Sequence, residues 1–371
     1  MTLPPIEPGP PGATGETDEG ASGAEGLREV VGRGSRTPFL LRTGVGLAIS
    51  LVALWLVFRT VDVGAALAIL RTASPAWIAV MAVAILADIG VRAVRWRVIL
   101  APVARLSYLR TLQYLTTGYA ANNVLPARLG ELVRAHYVGD REGVSRTTAL
   151  GTIVVERVID FSVLVAIAAG ALVILGIRGD LASAVTIGVA VAAALVVGLV
   201  VALVSRRMPG FDRAARAAER YPRVRALAET FSAGLAVAGR PRTLIPAIAL
   251  SLLAWTLATV TFAAGAMAVG IELSWSQAAL LAAGVNLVTA IPSGPGFVGT
   301  WELAAVRILA LFGVSSDTAF AFALLVHVST LAATTLIGAA SFIRIGWLPP
   351  ARKAAPPASE AAPATIPPRS P

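Results

Sequence analysis

The sequence of 371 residues has no cysteine. A disulfide framework, a thiolate nucleophile and a cysteine-ligated metal are therefore excluded, and the redox compartment leaves no mark. Lysine is nearly as scarce. Lys353 is the only one, so almost all of the net charge of +10 is carried by arginine. A Walker A loop needs Gly-Lys followed by Ser or Thr, and Lys353 lies between Arg352 and Ala354, which excludes a P-loop ATPase. The two histidines, His136 and His327, are too far apart for a His-Glu-x-x-His run. No Asp-x-Asp pair of a metal-dependent glycosyltransferase occurs either. On these grounds the sequence predicts no metal, no cofactor, no nucleic-acid partner and no enzyme. Charge of either sign makes up 14% of the chain, against roughly a quarter in soluble domains.

What fills the space is apolar. Hydrophobic residues account for 56% and mean hydropathy is +0.77, as expected of an all-α polytopic membrane protein. Residues 1–37 are the exception at the N-terminal end, with six acids, Arg28, Arg33 and Arg36, abundant Pro and Gly and no apolar periodicity, and they predict a disordered cytoplasmic tail. No short apolar core with a small-residue cleavage site lies near Met1, so the first apolar run is expected to be a span and not a cleaved signal. Residues 348–371, rich in Pro and Ala, predict a second tail. Between them, residues 38–347 form one membrane domain.

Crossing the hydrocarbon takes about 20 apolar residues. Six stretches qualify: Phe39–Phe58, Ala76–Trp96, Leu150–Ile177, Leu181–Val204, Leu244–Val269 and Ala319–Ile343. Two more, Leu109–Leu125 and Ala278–Ile291, are shorter and run into Pro-Gly turns followed by another short stretch, the pattern of re-entrant helical hairpins. The segment 205–242 carries nine arginines and 92–110 carries five, whereas the opposite loops hold Arg59, Arg71 and Arg178. This asymmetry puts both termini in the cytoplasm and the chain in the cytoplasmic membrane. Within 205–242, a basic cytoplasmic loop, Leu227, Phe231 and Leu235 share the spacing of an amphipathic surface helix.

The two hairpins echo each other. Asn122-Asn123-Val124-Leu125-Pro126-Ala127-Arg128-Leu129-Gly130-Glu131-Leu132 is matched by Ile291-Pro292-Ser293-Gly294-Pro295-Gly296-Phe297-Val298-Gly299-Thr300-Trp301-Glu302-Leu303, and Arg134 and Arg307 each follow their glutamate. With opposite entry sides this predicts an inverted repeat built on broken helices; chance similarity of two Pro-Gly turns is the other reading. Charges within spans add to the pattern. Glu156, Arg157 and Asp160 sit in the third span, Asp88, Arg92 and Arg95 in the second. Glu156 and Asp160, four apart on one face, require a cation between them or a proton on one. Arg92, Arg95 and Arg97 read as an ion-pair lock with Asp88 or as snorkelling side chains at a span end.

Gly118-Tyr119-Ala120-Ala121-Asn122-Asn123 through Arg134-Ala135, Val155-Glu156-Arg157-Val158-Ile159-Asp160, Pro292 through Glu302 and Arg92-Ala93-Val94-Arg95-Trp96 together resemble the lysylphosphatidylglycerol synthase transmembrane-region family over about residues 40–345. The resemblance implies a flippase-like domain similar to the membrane domain of multiple peptide resistance factor proteins, which moves aminoacylated phosphatidylglycerol outward. The chain, ending at Pro371, is expected to lack the aminoacyltransferase domain of those longer proteins. Its expected function is that of a lipid flippase or transporter for a polar phospholipid or glycolipid, acting with a separate lipid synthase. Arg128 and Arg134 are phosphate candidates; Glu131 and Glu302 suit a cationic headgroup or proton coupling. Asn122 and Asn123 supply neutral hydrogen bonds, and Gly294, Gly296 and Gly299 admit backbone close to substrate. Glu156, Arg157, Asp160 and Ser293 complete the candidate set. A pairing of Glu131 with Arg128 or Arg134 is the structural alternative. Two other classes stay open: a membrane-embedded lipid-modifying enzyme, in which Pro292-Ser293-Gly294 resembles a lipid phosphatase motif without its following histidine and Ser293 would need His327 as base, and a scaffold for a separate synthase. His327 reads more simply as a packed helix residue.

The absence of cysteine makes the topology directly measurable. Arg216→Cys should react with a membrane-impermeant maleimide only from the cytoplasmic side and Arg178→Cys only from the other. Labelling of both from one side would overturn the assigned orientation.

Overall fold

The computed structural model describes residues 36–125, 129–204, 230–289 and 293–346, with side chains from residue 44 and, in the second block, up to 201. The predicted tails, residues 205–229 of the basic loop with Leu227, and Arg128 lie outside these residues, apart from Arg36 and Thr37, which open the first helix. Among the described residues there is no strand. The helices are α1 (Arg36–Phe58), α2 (Val63–Arg71), α3 (Pro75–Leu100), α4 (Tyr108–Val124), α5 (Gly130–Glu142), α6 (Arg146–Leu175), α7 (Asp180–Val204), α8 (Pro241–Ala268), α9 (Trp275–Val288), α10 (Thr300–Ala310) and α11 (Ser316–Gly346).

Five of them, α3, α6, α7, α8 and α11, are long and apolar enough to cross a membrane. The sixth expected span differs. Gly44–Phe58 of α1 meets α2 at 81° across a short break, so a sixth crossing exists only if the bent pair counts as one. The stretch after Phe58, expected to be a loop, is a helix because Asp62 caps it: its carboxylate accepts from the N–H groups of Gly64 (2.8 Å) and Ala65 (3.1 Å). Ala66 then turns into the core.

The two Pro-Gly segments are breaks between helices, α4 from α5 and α9 from α10. Their packing is reciprocal: α4 lies along α11 while α9 lies along α6, and α3 packs lengthwise on α8. Each broken pair thus borrows its neighbour from the other half of the chain. Small residues make the approach close. A side chain at Gly338 of α11 would run into the Thr116 carbonyl and Ala120 of α4, and Thr116 Oγ1 lies 2.9 Å from Ser341 Oγ. α7 packs on α6 and leaves residues such as Ile187 and Val197 exposed, an apolar surface suited to lipid.

Thr230–Gly239 is a short helical segment, and its placement corrects the surface-helix expectation. Gly234 sits against Gly151 and the Thr148 carbonyl, and Thr148 Oγ1 donates to the Thr230 carbonyl at 2.9 Å. Two glycines facing each other let this segment rest on α6, so Phe231 and Leu235 are half-buried in protein.

Gly338→Val should force α4 from α11 at a cost of about 1–3 kcal/mol, typical of overpacking, seen as a lower thermal midpoint in detergent. Gly346→Val, on the same helix with open space around it, is the matched control and should leave the midpoint unchanged.

Candidate functional site

Arginine and carboxylate meet in the middle of the bundle. Glu156 lies ten residues into α6, about 15 Å along the helix, and is fully buried. Its Oε1 accepts from Arg95 and Arg157, each at 2.9 Å, and its Oε2 from Arg134 at 2.8 Å. One turn on, Asp160 accepts from both terminal guanidinium nitrogens of Arg95, at 3.0 Å for Nη2 to Oδ2 and through the Nη1–Oδ1 contact. It also accepts from Trp255 Nε1 at 3.2 Å. Arg95 donates to Ser251 as well, at 2.9 Å. Arg95 is thus the cation between the two acids that their spacing demands. It is fully buried, which corrects the reading of a snorkelling side chain: its ligands lie inside the protein, on α6 and α8.

Flat aromatic faces complete the network. The Arg134 guanidinium lies 3.9 Å from the centre of a Trp96 ring and that of Arg92 lies 4.5 Å from a Trp255 ring, favourable placements for a delocalised cation. Arg92 binds Asp88 at 2.8 Å, the lock the sequence offers as one alternative, and its Nη1 stands 3.8 Å from Asp160. Arg97 instead donates to the Leu106 carbonyl at 3.0 Å, closing the end of α3. The pairing of Glu131 with Arg134 does not occur, because Arg134 is taken by Glu156.

Each break is closed by its own polar device. At the first, the Asn122 side-chain oxygen accepts from the Gly130 N–H at 2.7 Å, which satisfies a donor that the start of α5 would otherwise leave bare. Gly130 faces the Gly118 carbonyl, and Gly118 faces the Arg134 side chain, so these two glycines admit α5 and its arginine against α4. Asn123 Nδ2 donates to Thr334 and Thr335 of α11, both at 2.9 Å. At the second break, Glu302 Oε2 accepts from the Gly299 N–H at 2.6 Å and Glu302 Oε1 lies 2.6 Å from His327 Nδ1. His327 Nε2 reaches the Gly296 carbonyl at 2.9 Å. Trp301 stacks on His327 with ring centres 4.7 Å apart and planes 9° from parallel. Gly294 N–H donates to Ser50 of α1 at 2.9 Å. The Ser293 hydroxyl is buried without a hydrogen-bond partner, and both ring nitrogens of His327 are engaged elsewhere, so no Ser293–His327 pair forms.

A cavity of about 560 Å³ joins the two halves. Asp88, Arg92, Arg157 and Asp160 line it from the network, Asn122, Asn123 and Glu131 from the first break, and Phe297, Trp301 and His327 from the second. Glu302 itself is buried behind His327. The breaks touch: a side-chain carbon at Gly296 would stand 3.6 Å from the Asn123 carbonyl. Of the expected site residues, Asn122, Asn123, Glu131, Arg157 and Asp160 line the cavity; Arg134 and Glu156 stand behind it in the network, and Ser293, Gly294 and Gly299 shape the second break. The candidate set drawn from the sequence left out Asp88, Arg92, Arg95, Trp255, Trp301 and His327, the first three having been read as a lock or as side chains at a span end and His327 as a packed helix residue. A charge within an apolar run was the available signal for the first three; the tryptophans carried none. Among the described residues no cluster of three or more His, Asp or Glu is placed to hold a metal.

Long apolar helices enclosing buried charge and a cavity edged by charged residues define a multi-pass integral membrane protein. The chain belongs to the lysylphosphatidylglycerol synthase TM region family, which it matches over residues 44–338, and its role is accordingly tied to membrane lipid. A curated protein of Haloferax volcanii, named Glycosyltransferase AglD, is 28% identical across 86% of this chain. The match covers 59% of that protein, so the chain spans less than two thirds of its relative's length. The relative's name overturns the expectation of no enzyme: a protein similar along most of this chain is called a glycosyltransferase. No solved structure matches the chain.

Arg95→Ala would leave Glu156 without one of its three cations and Asp160 without its main one. A loss of about 3–5 kcal/mol is expected for a broken buried pair, measured by denaturation in detergent. A variant as stable as the wild type would show that the acids do not depend on Arg95.

Proposed function

We propose that the membrane domain binds the phosphate-bearing headgroup of a polar lipid in the cavity and carries it across the cytoplasmic membrane while the acyl chains stay in lipid. The observation that carries this reading is the single cavity shared by both helix breaks and edged by Arg92 and Arg157. A guanidinium has five N–H donors. Arg92 spends its Nε on Asp88 and Arg157 its Nη2 on Glu156, and the rest of each fork can meet phosphate oxygens. The four arginines of the network share three carboxylates, Asp88, Glu156 and Asp160, and Glu131 on the cavity wall balances the fourth, so the arginines offer an anion directed N–H donors and not a net positive charge. Glu131, also on the cavity wall, would meet a cationic or hydroxyl-bearing substituent. Asn123 and Thr334, bound to each other, offer further polar edges.

In this reading α4–α5 and α9–α10 are re-entrant pairs entering from opposite sides, and both termini are cytoplasmic. The arginine distribution and the reciprocal packing of the two halves support it: with α7 as an added crossing between them, the second half starts on the opposite side from the first. Arg128, between α4 and α5 in the sequence, remains a phosphate candidate, and Gly296 gives the substrate close access to backbone. A separate lipid synthase would supply the modified lipid.

Glycosyl transfer is a second reading, favoured by the relative's name and by Trp255 and Trp301 beside Asp88 and Glu131 in the cavity wall. Both readings take the same ligand chemistry, a lipid phosphate bearing a polar group. In proteoliposomes with fluorescent phosphatidylglycerol, the wild type should accelerate leaflet exchange over protein-free vesicles, and Arg157→Gln should lower the rate about tenfold, the loss of one charge-assisted contact. Exchange equal to that of empty vesicles would overturn translocation. A new lipid-linked saccharide, made by the purified protein from a polyprenyl phosphate and a nucleotide sugar, would instead support transfer.

A further inference from the structure

Glu302 and His327 stand outside the arginine network, and the hydrogen bonds around them fix how many protons they hold. The Gly296 carbonyl can only accept, so His327 Nε2, 2.9 Å away, carries a hydrogen. The Gly299 N–H can only donate, so Glu302 Oε2, 2.6 Å away, accepts from it. Between His327 Nδ1 and Glu302 Oε1, also 2.6 Å apart, one hydrogen must lie, because two lone pairs at that distance repel. Whether that hydrogen belongs to the ring or to the carboxyl, the pair holds one proton more than a neutral histidine beside an ionised glutamate. Both side chains are about 5% exposed, and the face of Trp301 stacked on the ring favours a cationic imidazole.

We propose that the Glu302–His327 pair is a proton-binding site whose occupancy holds the second break closed on α11, and that this proton is the coupling ion of the lipid movement. The coupling rests on the transport reading given above; the proton site rests on the hydrogen bonds alone. Loss of the shared proton leaves a ring lone pair facing a carboxylate, and the contact must lengthen. Glu302 holds the Gly299 N–H and His327 holds the Gly296 carbonyl, so the separation pulls on the backbone between them. That backbone is poised to move. Gly296, Phe297 and Gly299 have φ of 65°, 60° and 93°, and a phenylalanine in the left-handed region is kept there only by its surroundings. Phe297 and Trp301 line the cavity, so the motion reshapes the wall that a headgroup meets.

Other charged or titratable groups in the cavity come from the remaining elements: Asp88 and Arg92 of α3, Tyr119 of α4, Glu131 of α5, and Arg157 and Asp160 of α6. Asp88 and Asp160 are bound to arginine, which leaves Glu131 as the acid to control for. α8 and α9 line the cavity with Trp255 and Asn286, neither ionisable, and α1 has no titratable side chain between Gly44 and Phe58. Arg307 of α10 is exposed, Arg71 ends α2, and Asp317 at the start of α11 is bound to the Asp62 N–H.

The chain has two histidines, so nitrogen NMR of histidine-labelled protein with His136→Gln reports His327 alone. The wild type should show either a protonated Nδ1 or, by infrared spectroscopy, a protonated carboxyl that vanishes in Glu302→Gln and survives in Glu131→Gln. Raising the pH should quicken amide exchange across residues 293–299 more in the wild type than in Glu302→Gln, beyond the base-catalysed rise common to every amide. A pair with neither signal overturns the site, as does amide exchange that rises with pH alike in the two proteins. Glu302→Gln retains an acceptor for the Gly299 N–H, and His327→Gln provides a second variant should it misfold. In vesicles with fluorescent phosphatidylglycerol, the wild-type rate should change by up to about tenfold per unit of imposed pH difference, the limit for one coupled proton, and Glu302→Gln should not respond. A rate indifferent to the gradient overturns the coupling and leaves translocation standing. No translocation in any gradient, with the proton signal intact, overturns the transport reading and the coupling while supporting the proton site.

Discussion

The architecture hangs on one guanidinium. Arg95 is buried between Glu156 and Asp160 and, among the described residues, is the cation that binds both, where an unpaired buried charge would be costly. Because the three groups come from α3 and α6, and Ser251 and Trp255 of α8 bind to the same cluster, the ion set dictates where three long helices cross. Arg134 brings α5 to the same carboxylate. Such a cluster contributes less to net stability than to uniqueness: few alternative packings bring every charge to a partner, and those that do not are heavily penalised.

Broken helices pose the opposite problem, that of backbone groups with no partner at membrane depth. The two breaks solve it with different chemistry on a shared plan. Asn122 reaches forward from α4 to the first N–H of α5, whereas Glu302 reaches back from within α10. The divergence continues beyond the turn. Arg134 is buried against Glu156 and Trp96, while its counterpart in the repeated pattern, Arg307, is exposed. The halves share their packing scheme and differ in their polar equipment, with the ion cluster in one and the glutamate–histidine pair in the other.

Much of this was legible in the sequence. The long apolar runs gave α3, α6, α7, α8 and α11 because span length follows from bilayer thickness, and Pro and Gly marked both breaks. The α2 helix was not legible: nine residues after a capping aspartate look like a loop when only long runs are sought. In the site, Glu156 and Asp160 announced the need for a cation through their spacing, but which arginine answers depends on the crossing of α3 with α6. Arg95 lies near a span end, and only tertiary packing separates a buried arginine from one reaching for water. His327 looked like an ordinary packed residue because its partner, Glu302, lies 25 residues away on a different helix.

The exchange of neighbours between halves has a consequence for biogenesis. Thr116 and Asn123 of α4 find their partners on α11, 225 and 211 residues downstream. Synthesis at roughly 5–20 residues per second therefore leaves the polar side of α4 waiting for on the order of ten seconds or more after it leaves the ribosome. During that interval it must be sheltered by the insertion machinery or by water at the membrane surface. The bundle closes late where it was begun early, and α11, made far downstream of α4, is the helix that seals the first break.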